Sequence, residues 1–396
     1  MERDLAPALQ RWLLTEGRAA DGIPELLDAF CQRLQAQGRV DRLWLGTTLL
    51  HPQTAGYVWI WCSDAPLLER SLGHVAFEKL DTEQDSPARR LRLGAPWVRF
   101  REAHREGHAL ADIEHLWGQG YTDFYGLSVH SRGKWLGAVT LSTRAPEGFL
   151  EAQIALLDAV MPALEATLEP FIKDLVMKGL LKAYLGRDAG DRVFHGQVRR
   201  GDGETIEAVV WFSDVRGFTR MSAELDRDAL LKVLNDTFEL LVCVLEDHGG
   251  EVLKFMGDGL MGVFPVVDGP AAACRAARAA VSAFRVGLGE LSQRRVGEGL
   301  APIEVGVGLH YGDVTYGNIG APGRLDFTII GPAVNLASRI EGLCGKLGEP
   351  ILASEAFVAL EGGAWESCGK FEVKGVDAPV AVARPVSASA SAGLIA

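Results

Sequence analysis

Asp214 and Asp258 are the residues of this chain whose placement best suits chemistry. Asp214 closes the apolar run EAVVWFS, which reads as a buried strand. Asp258 lies in Gly257-Asp258-Gly259, the turn residues between the strand-like runs EVLKFM and LMGVFP. A strand end and a hairpin tip can meet at one edge of a sheet, which sets two hard carboxylates side by side. With a triphosphate, such a pair is a natural seat for two Mg²⁺ or Mn²⁺ ions. Two-metal sites hold their ions about 3.5–4 Å apart, one at the attacking oxygen and one at the leaving phosphates. Gly217, in the following VRGFT, lets the chain turn tightly enough for backbone N–H groups to cradle phosphate. Taken singly, an aspartate in either place is a turn former. The pair carries the reading.

The elements that must position this pair follow from the pattern around it. Leu230, Leu234, Phe238, Leu241 and Leu245 predict a long helix, stopped at Gly249-Gly250. After the hairpin come an Ala-rich helix, the strand-like IEVGVGLH, then TII leading into a helix opened by Gly331-Pro332. The order strand–helix–hairpin–helix–strand predicts a ferredoxin-like core, and the fold class is α/β (α+β).

At this point the motifs resemble a known family. FSDVRGFT, EVLKFMGDGLMGVF, GLHYGDVTYGNIG and DFTIIGPAVNLASRIE look like the successive motifs of class III adenylate and guanylate cyclases. They stand in the family's order and cover residues 205–385. The resemblance implies that Asp214 and Asp258 bind the two metal ions, with the Val215 carbonyl as a further ligand. It places Gly217 and Phe218 at the substrate, Lys254 and Thr328 at the base, and Lys374 of FEVKG at the terminal phosphates. Asn335 and Arg339 correspond to the pair that orients the ribose and steadies the charged transition state. They are four apart and share one helix face.

Base choice then rests on hydrogen bonding. Adenine offers an acceptor at N1 and a donor at its exocyclic amine; an ammonium only donates, and a hydroxyl can accept. Lys254 with Thr328 therefore suits adenine, and the substrate implied is ATP. Guanine reverses both signs, and a mismatched polar group in the pocket is left unpaired. The Lys/Thr pair resembles a bacterial, soluble subgroup, whereas many animal cyclases carry aspartate where Thr328 stands. The chain holds one copy of each motif. The resemblance therefore implies a symmetric homodimer, in which Asp214 and Asp258 of one chain meet Lys254, Thr328, Asn335 and Arg339 of the other.

With 396 residues, the chain fits about two domains. Its net charge of −12 argues against a general nucleic-acid binder. Cys31, Cys62, Cys243, Cys274, Cys344 and Cys368 form no CxxC pair and read as reduced thiols. No apolar run reaches about 18 residues, so no membrane span is expected, and a cytoplasmic location follows.

Residues 1–175 read as a sensor domain. A helix over Ile23, Leu26, Leu27, Phe30 and Leu34 ends at Gly38, and RLWLGTTLL and GYVWIWC flank the turn-prone HPQTA. DFYGLSV and KWLGAVTLS flank SRG as a second hairpin. This order resembles a GAF domain, an antiparallel sheet backed by helices, receiving an unknown small molecule or signal. In the closing helix, Leu157, Met161, Leu164, Leu168, Phe171 and Leu175 suit either a coiled-coil seam, interrupted by Pro162 and Pro170, or a helix lying on its own core. A connector spans 176–204, the catalytic domain 205–386, and a loose tail 387–396.

Three other readings carry less. A diguanylate cyclase signature is similar to Gly249-Gly250-Glu251-Val252, but those residues precede the strand rather than forming the hairpin tip. A silent scaffold is disfavoured because Asp214, Asp258, Asn335 and Arg339 are all present. His104 and His108, and Cys62, read as a solvated pair and a buried thiol rather than metal or chromophore sites.

Overall fold

The computed structural model describes residues 5–38, 40–82, 85–105 and 110–386. His108 and the tail 387–396 lie outside them. The chain divides into two compact units, Met1–Ala183 and Tyr184–Ala396.

The first unit carries α1 (Leu5–Leu14), α2 (Ile23–Gly38), β1 (Arg42–Thr48), β2 (Thr54–Cys62), β3 (Ala65–Gly73), α3 (His74–Thr82) and α4 (Pro87–Arg92). Then follow β4 (Trp97–Arg101), α5 (Ala111–Gly118), β5 (Asp123–Ser131), β6 (Lys134–Thr143) and α6 (Glu151–Leu185). The strands form an antiparallel sheet in the order β3-β2-β1-β6-β5-β4. Two hairpins match the sequence pattern. Arg132 (φ 50°) and Gly133 (φ 73°) close the second in the left-handed region that tight hairpin loops require. β3 went unread because an edge strand needs little apolar alternation: it is mostly exposed and carries Glu69 and Arg70. β4 does alternate, burying Val98 and Phe100, but it is only five residues long.

One sheet face buries Leu43, Leu45, Trp59 and Leu141 against Leu13 of α1, Leu26, Leu27 and Phe30 of α2, and α6. Leu157, Met161, Leu164 and Leu168 belong to this core, and Phe171 and Leu175 pack on its edge. Within the chain, therefore, the 4–3 spacing serves the unit's own core. α6 remains one helix through Pro162 and Pro170.

The second unit begins with α7 (Arg187–Phe194), β7 (Gly203–Val215), α8 (Phe218–Glu224), α9 (Arg227–Asp247), β8 (Glu251–Met256) and β9 (Gly259–Pro265). It continues with α10 (Pro270–Gly297), β10 (Val305–Ala321), β11 (Arg324–Ile330), α11 (Pro332–Leu347), β12 (Ile351–Ser354), α12 (Glu355–Glu361), β13 (Trp365–Phe371) and β14 (Val380–Pro385). The sheet runs β13-β14-β12-β10-β7-β9-β8, with β11 paired to β10. Its part β10-β7-β9-β8 is antiparallel throughout and has the strand order of the expected ferredoxin-like core.

Asp226 starts α9 by accepting from the Ala229 amide at 2.8 Å. Trp211 of β7 is wholly buried against Phe264 and Phe284, each with its ring centroid 6.3 Å away. Gly308 of β10 admits α11: a Cβ there would stand 2.4 Å from the Glu341 amide. No helix among the described residues is long and apolar enough to cross a membrane.

Candidate active site

β7 and β9 bring the two aspartates together by register. Asp214 lies opposite Gly259, the residue after Asp258. The hairpin loop is shorter than the sequence pattern implied: Met256 pairs with Gly259, leaving Gly257 and Asp258 as its two residues, with Gly257 at φ 69°. Burial, then the Asp258 charge and a hydrogen bond shared with it, raise the Asp214 carboxyl to about 6. A cation held between the two carboxylates would relieve their repulsion. The cleft they share is lined by Val215, Arg216, Gly217, Phe218 and Thr219, and by Glu341, Gly342 and Gly345 of α11.

Gly217 adopts φ 70° and ψ 17° immediately before α8. A Cβ there would meet nothing within 4 Å, so the requirement for glycine comes from the backbone conformation, not from crowding. Glu341 is the residue that sequence reasoning missed. Burial and the Asp214 charge push its carboxyl up to about 7, against Arg216 and with a smaller push from Asp258. A glutamate two places after an exposed arginine looks solvated in sequence. Only the tight seat of α11 on Gly308 turns it inward.

The remaining residues fall elsewhere. Lys254 of β8 pairs through Nζ with Asp326 Oδ2 of β11. Thr328, two residues beyond Asp326, is buried, and its Oγ1 has no hydrogen-bond partner. Asn335 and Arg339 are exposed on α11, and their side chains have no partner among the described residues. Lys374 is exposed between β13 and β14. None of these five lines the carboxylate cleft. Residues that would have to act together thus fall into two groups on one chain.

The donor set fits a hard cation. Among the described residues no cluster of three or more His, Cys, Asp and Glu is placed to hold a metal. The cleft offers the carboxylates of Asp214 and Asp258, with Glu341 beside them. That suits Mg²⁺, which keeps waters and takes substrate phosphate oxygens rather than an all-protein cage.

The profile of the Adenylate and Guanylate cyclase catalytic domain matches residues 203–382. These residues are therefore similar to that family's catalytic domain. The matched segment runs from the first residue of β7 into β14, and so holds the carboxylate cleft and the Lys254–Asp326 pair. The chain is 30% identical over 232 residues to an adenylate cyclase of Anabaena cylindrica, covering 58% of this chain and 43% of that one. With adenylate cyclase 1 of Rhizobium meliloti (strain 1021), identity is 31% over 191 residues, 47% of this chain and 26% of that one. The chain thus spans less than half the length of either relative. Among solved structures, the adenylyl cyclase CyaB from P. aeruginosa is 34% identical, covering 47% of this chain and 96% of that chain with a TM-score of 0.44. The guanylyl cyclase Cya2 is 32% identical, covering 46% and 92%, with a TM-score of 0.41.

Proposed function

We propose that this protein is an adenylate cyclase, converting ATP to 3′,5′-cyclic AMP and pyrophosphate. The observation that carries the reading is the carboxylate pair Asp214 and Asp258, in which burial and the Asp258 charge raise Asp214, at the cleft of the cyclase domain. Two Mg²⁺ or Mn²⁺ ions bound there would activate the 3′-hydroxyl and neutralise the triphosphate. Asp214, Asp258 and the Val215 carbonyl would hold them, and the turn at Gly217 and Phe218 would receive phosphate. The 3′-oxygen bonds to the α-phosphorus as its proton passes to solvent water, and the bond from the α-phosphorus to the bridging oxygen breaks, so that pyrophosphate leaves with that bond's electron pair. Asn335 orients the ribose, Arg339 steadies the charge developing on the α-phosphate, and Lys374 meets the terminal phosphates. Lys254 and Thr328 read the base as adenine.

The separation of the two residue groups supports a homodimer with shared sites. Asn335 and Arg339 are exposed and have no side-chain partner among the described residues, which leaves them open to a second chain. The first unit is read as a GAF-like sensor that regulates turnover. Product chromatography tests the activity, with ATP and GTP each supplied with Mg²⁺ and with Mn²⁺. Cyclic AMP as the preferred product is expected. Preferential cyclic GMP would overturn the adenine assignment, and no product with either metal would overturn the cyclase reading.

A further inference from the structure

Asp214 faces a glycine on each neighbouring strand, Gly259 of β9 and Gly306 of β10. Residues directly opposite in an antiparallel pair share one face of the sheet, with Cβ atoms about 4.5–5.5 Å apart. At both glycines a carboxylate oxygen occupies the room a side chain would take. A Cβ on Gly259 would stand 3.0 Å from Asp214 Oδ1, and one on Gly306 would stand 2.7 Å from Glu341 Oε1. Glu341 comes from α11 and so fills the place directly across from Asp214, in the cleft that also holds Asp258. It is half-buried, and charges reach its carboxylate, but no hydrogen-bond donor among the described residues does. Arg216 is a cation beside it, with Nε 3.8 Å from the same Gly306 Cβ position and Nη2 donating to the Glu349 carbonyl. Asp214, Asp258 and Glu341 are not placed to hold one ion between all three.

We infer that Glu341 is a positioning residue for the metal seat, accepting hydrogen bonds from water carried by a cation on Asp214 and Asp258. The inference rests on the reading of those two aspartates as the metal ligands. An ionised carboxylate only accepts, with about four lone-pair sites, and here the chain satisfies none of them. Half-buried polar groups of this kind find their partners in ordered water or a ligand. Mg²⁺ dehydrates reluctantly and keeps several waters, whose O–H groups point outward as donors. A carboxylate set across the strand from Asp214, too far to join it on one ion, fits the place of an acceptor for such water. Glycine at 306 is what leaves that place open. The charge of Glu341 adds to the attraction of the two aspartates for a cation, and the hydrogen bonds fix how the hydrated ion sits.

The test measures binding of Mn²⁺ alone to the full-length protein, by electron paramagnetic resonance of the free ion. Glu341→Gln keeps the shape and removes the charge, and should raise the Mn²⁺ Kd by about 10- to 100-fold. In turnover, the Mg²⁺ concentration giving half the maximal rate should rise by a similar factor, while kcat at saturating Mg²⁺ stays within about threefold. Gly306→Ala puts a Cβ where the carboxylate lies and should weaken Mn²⁺ binding in the same direction with Glu341 itself intact. A Glu341→Gln protein that binds Mn²⁺ like the wild type overturns this inference, whatever happens to its kcat. Asp214→Asn separates the two levels. If it too leaves Mn²⁺ binding unchanged, or if the wild type binds none, the metal reading of the aspartates itself falls. If Asp214→Asn weakens binding while Glu341→Gln does not, only the role of Glu341 falls. Should Glu341→Gln unfold, Gly306→Ala decides: unchanged Mn²⁺ binding there overturns the inference.

Discussion

Each unit holds an aspartate at a strand end, buried in the first and half-buried in the second, and the two are treated oppositely. Asp123 of β5 is fully enclosed. Arg99 Nη2 approaches it at 2.9 Å, Arg101 Nε at 3.6 Å, and the Phe149 amide donates to it at 3.0 Å. Asp214 of β7 meets another carboxylate instead. A charge enclosed with its own counter-charge is part of the architecture; a carboxylate facing a like charge is one that a bound cation would relieve. Within one chain, this contrast sets a structural lock apart from the proposed reactive centre.

The comparison breaks most sharply by mutation of the reactive pair. Asp214→Asn and Asp258→Asn should each lower cyclase turnover by about a thousandfold or more, because each removes negative charge from a seat for two cations. Thermal unfolding of the second unit should not fall, since the repulsion in the pair is relieved. Near-normal turnover in either folded variant would remove that residue from the mechanism.

Asp123→Ala tests the other half. It leaves Arg99 facing an empty site and should destabilise the first unit by about 3–5 kcal/mol. Calorimetry should show this as a lower Tm for one unit, with the transition of Tyr184–Ala396 unmoved. A variant with unchanged Tm would mean that the enclosure of Asp123 contributes little. The smallest effect should come from Gly217→Ala. With open space around the new Cβ, only the left-handed backbone resists, at about 1 kcal/mol. Chemical denaturation should read that cost, together with weaker ATP binding where the turn is disturbed.

The sequence made the second unit far more readable than the first, for physical reasons. Asp214 and Asp258 stand at a strand end and a glycine turn, positions whose local chemistry is visible over a few residues. The succession strand–helix–hairpin–helix–strand was readable from apolar patterning and turn signals, and the order β10-β7-β9-β8 is the ferredoxin-like arrangement it implied. Asp326 and Glu341 escaped notice because what defines them lies at long range: a lysine 72 positions away, and a helix seated on Gly308. The lock at Asp123 is hidden for the same reason, since Arg99 and Phe149 meet it only after the sheet has formed. The spacing from Leu157 to Leu175 allowed two packings, and periodicity cannot choose between a second chain and the helix's own core. Burial of Leu157, Met161, Leu164 and Leu168 against α1 and α2 shows which one the chain uses within itself.

The claim that Asp214 and Asp258 serve one site with the other chain's Lys254, Thr328, Asn335 and Arg339 is tested most directly by mixing two inactive variants, Asp258→Ala and Arg339→Ala. In a mixed dimer one site carries both defects and the other carries neither, so cyclic AMP formation should return on mixing and depend on total protein concentration. If light scattering and differential tagging show heterodimers while the mixture stays inactive, the shared site is contradicted and catalysis is confined to one chain.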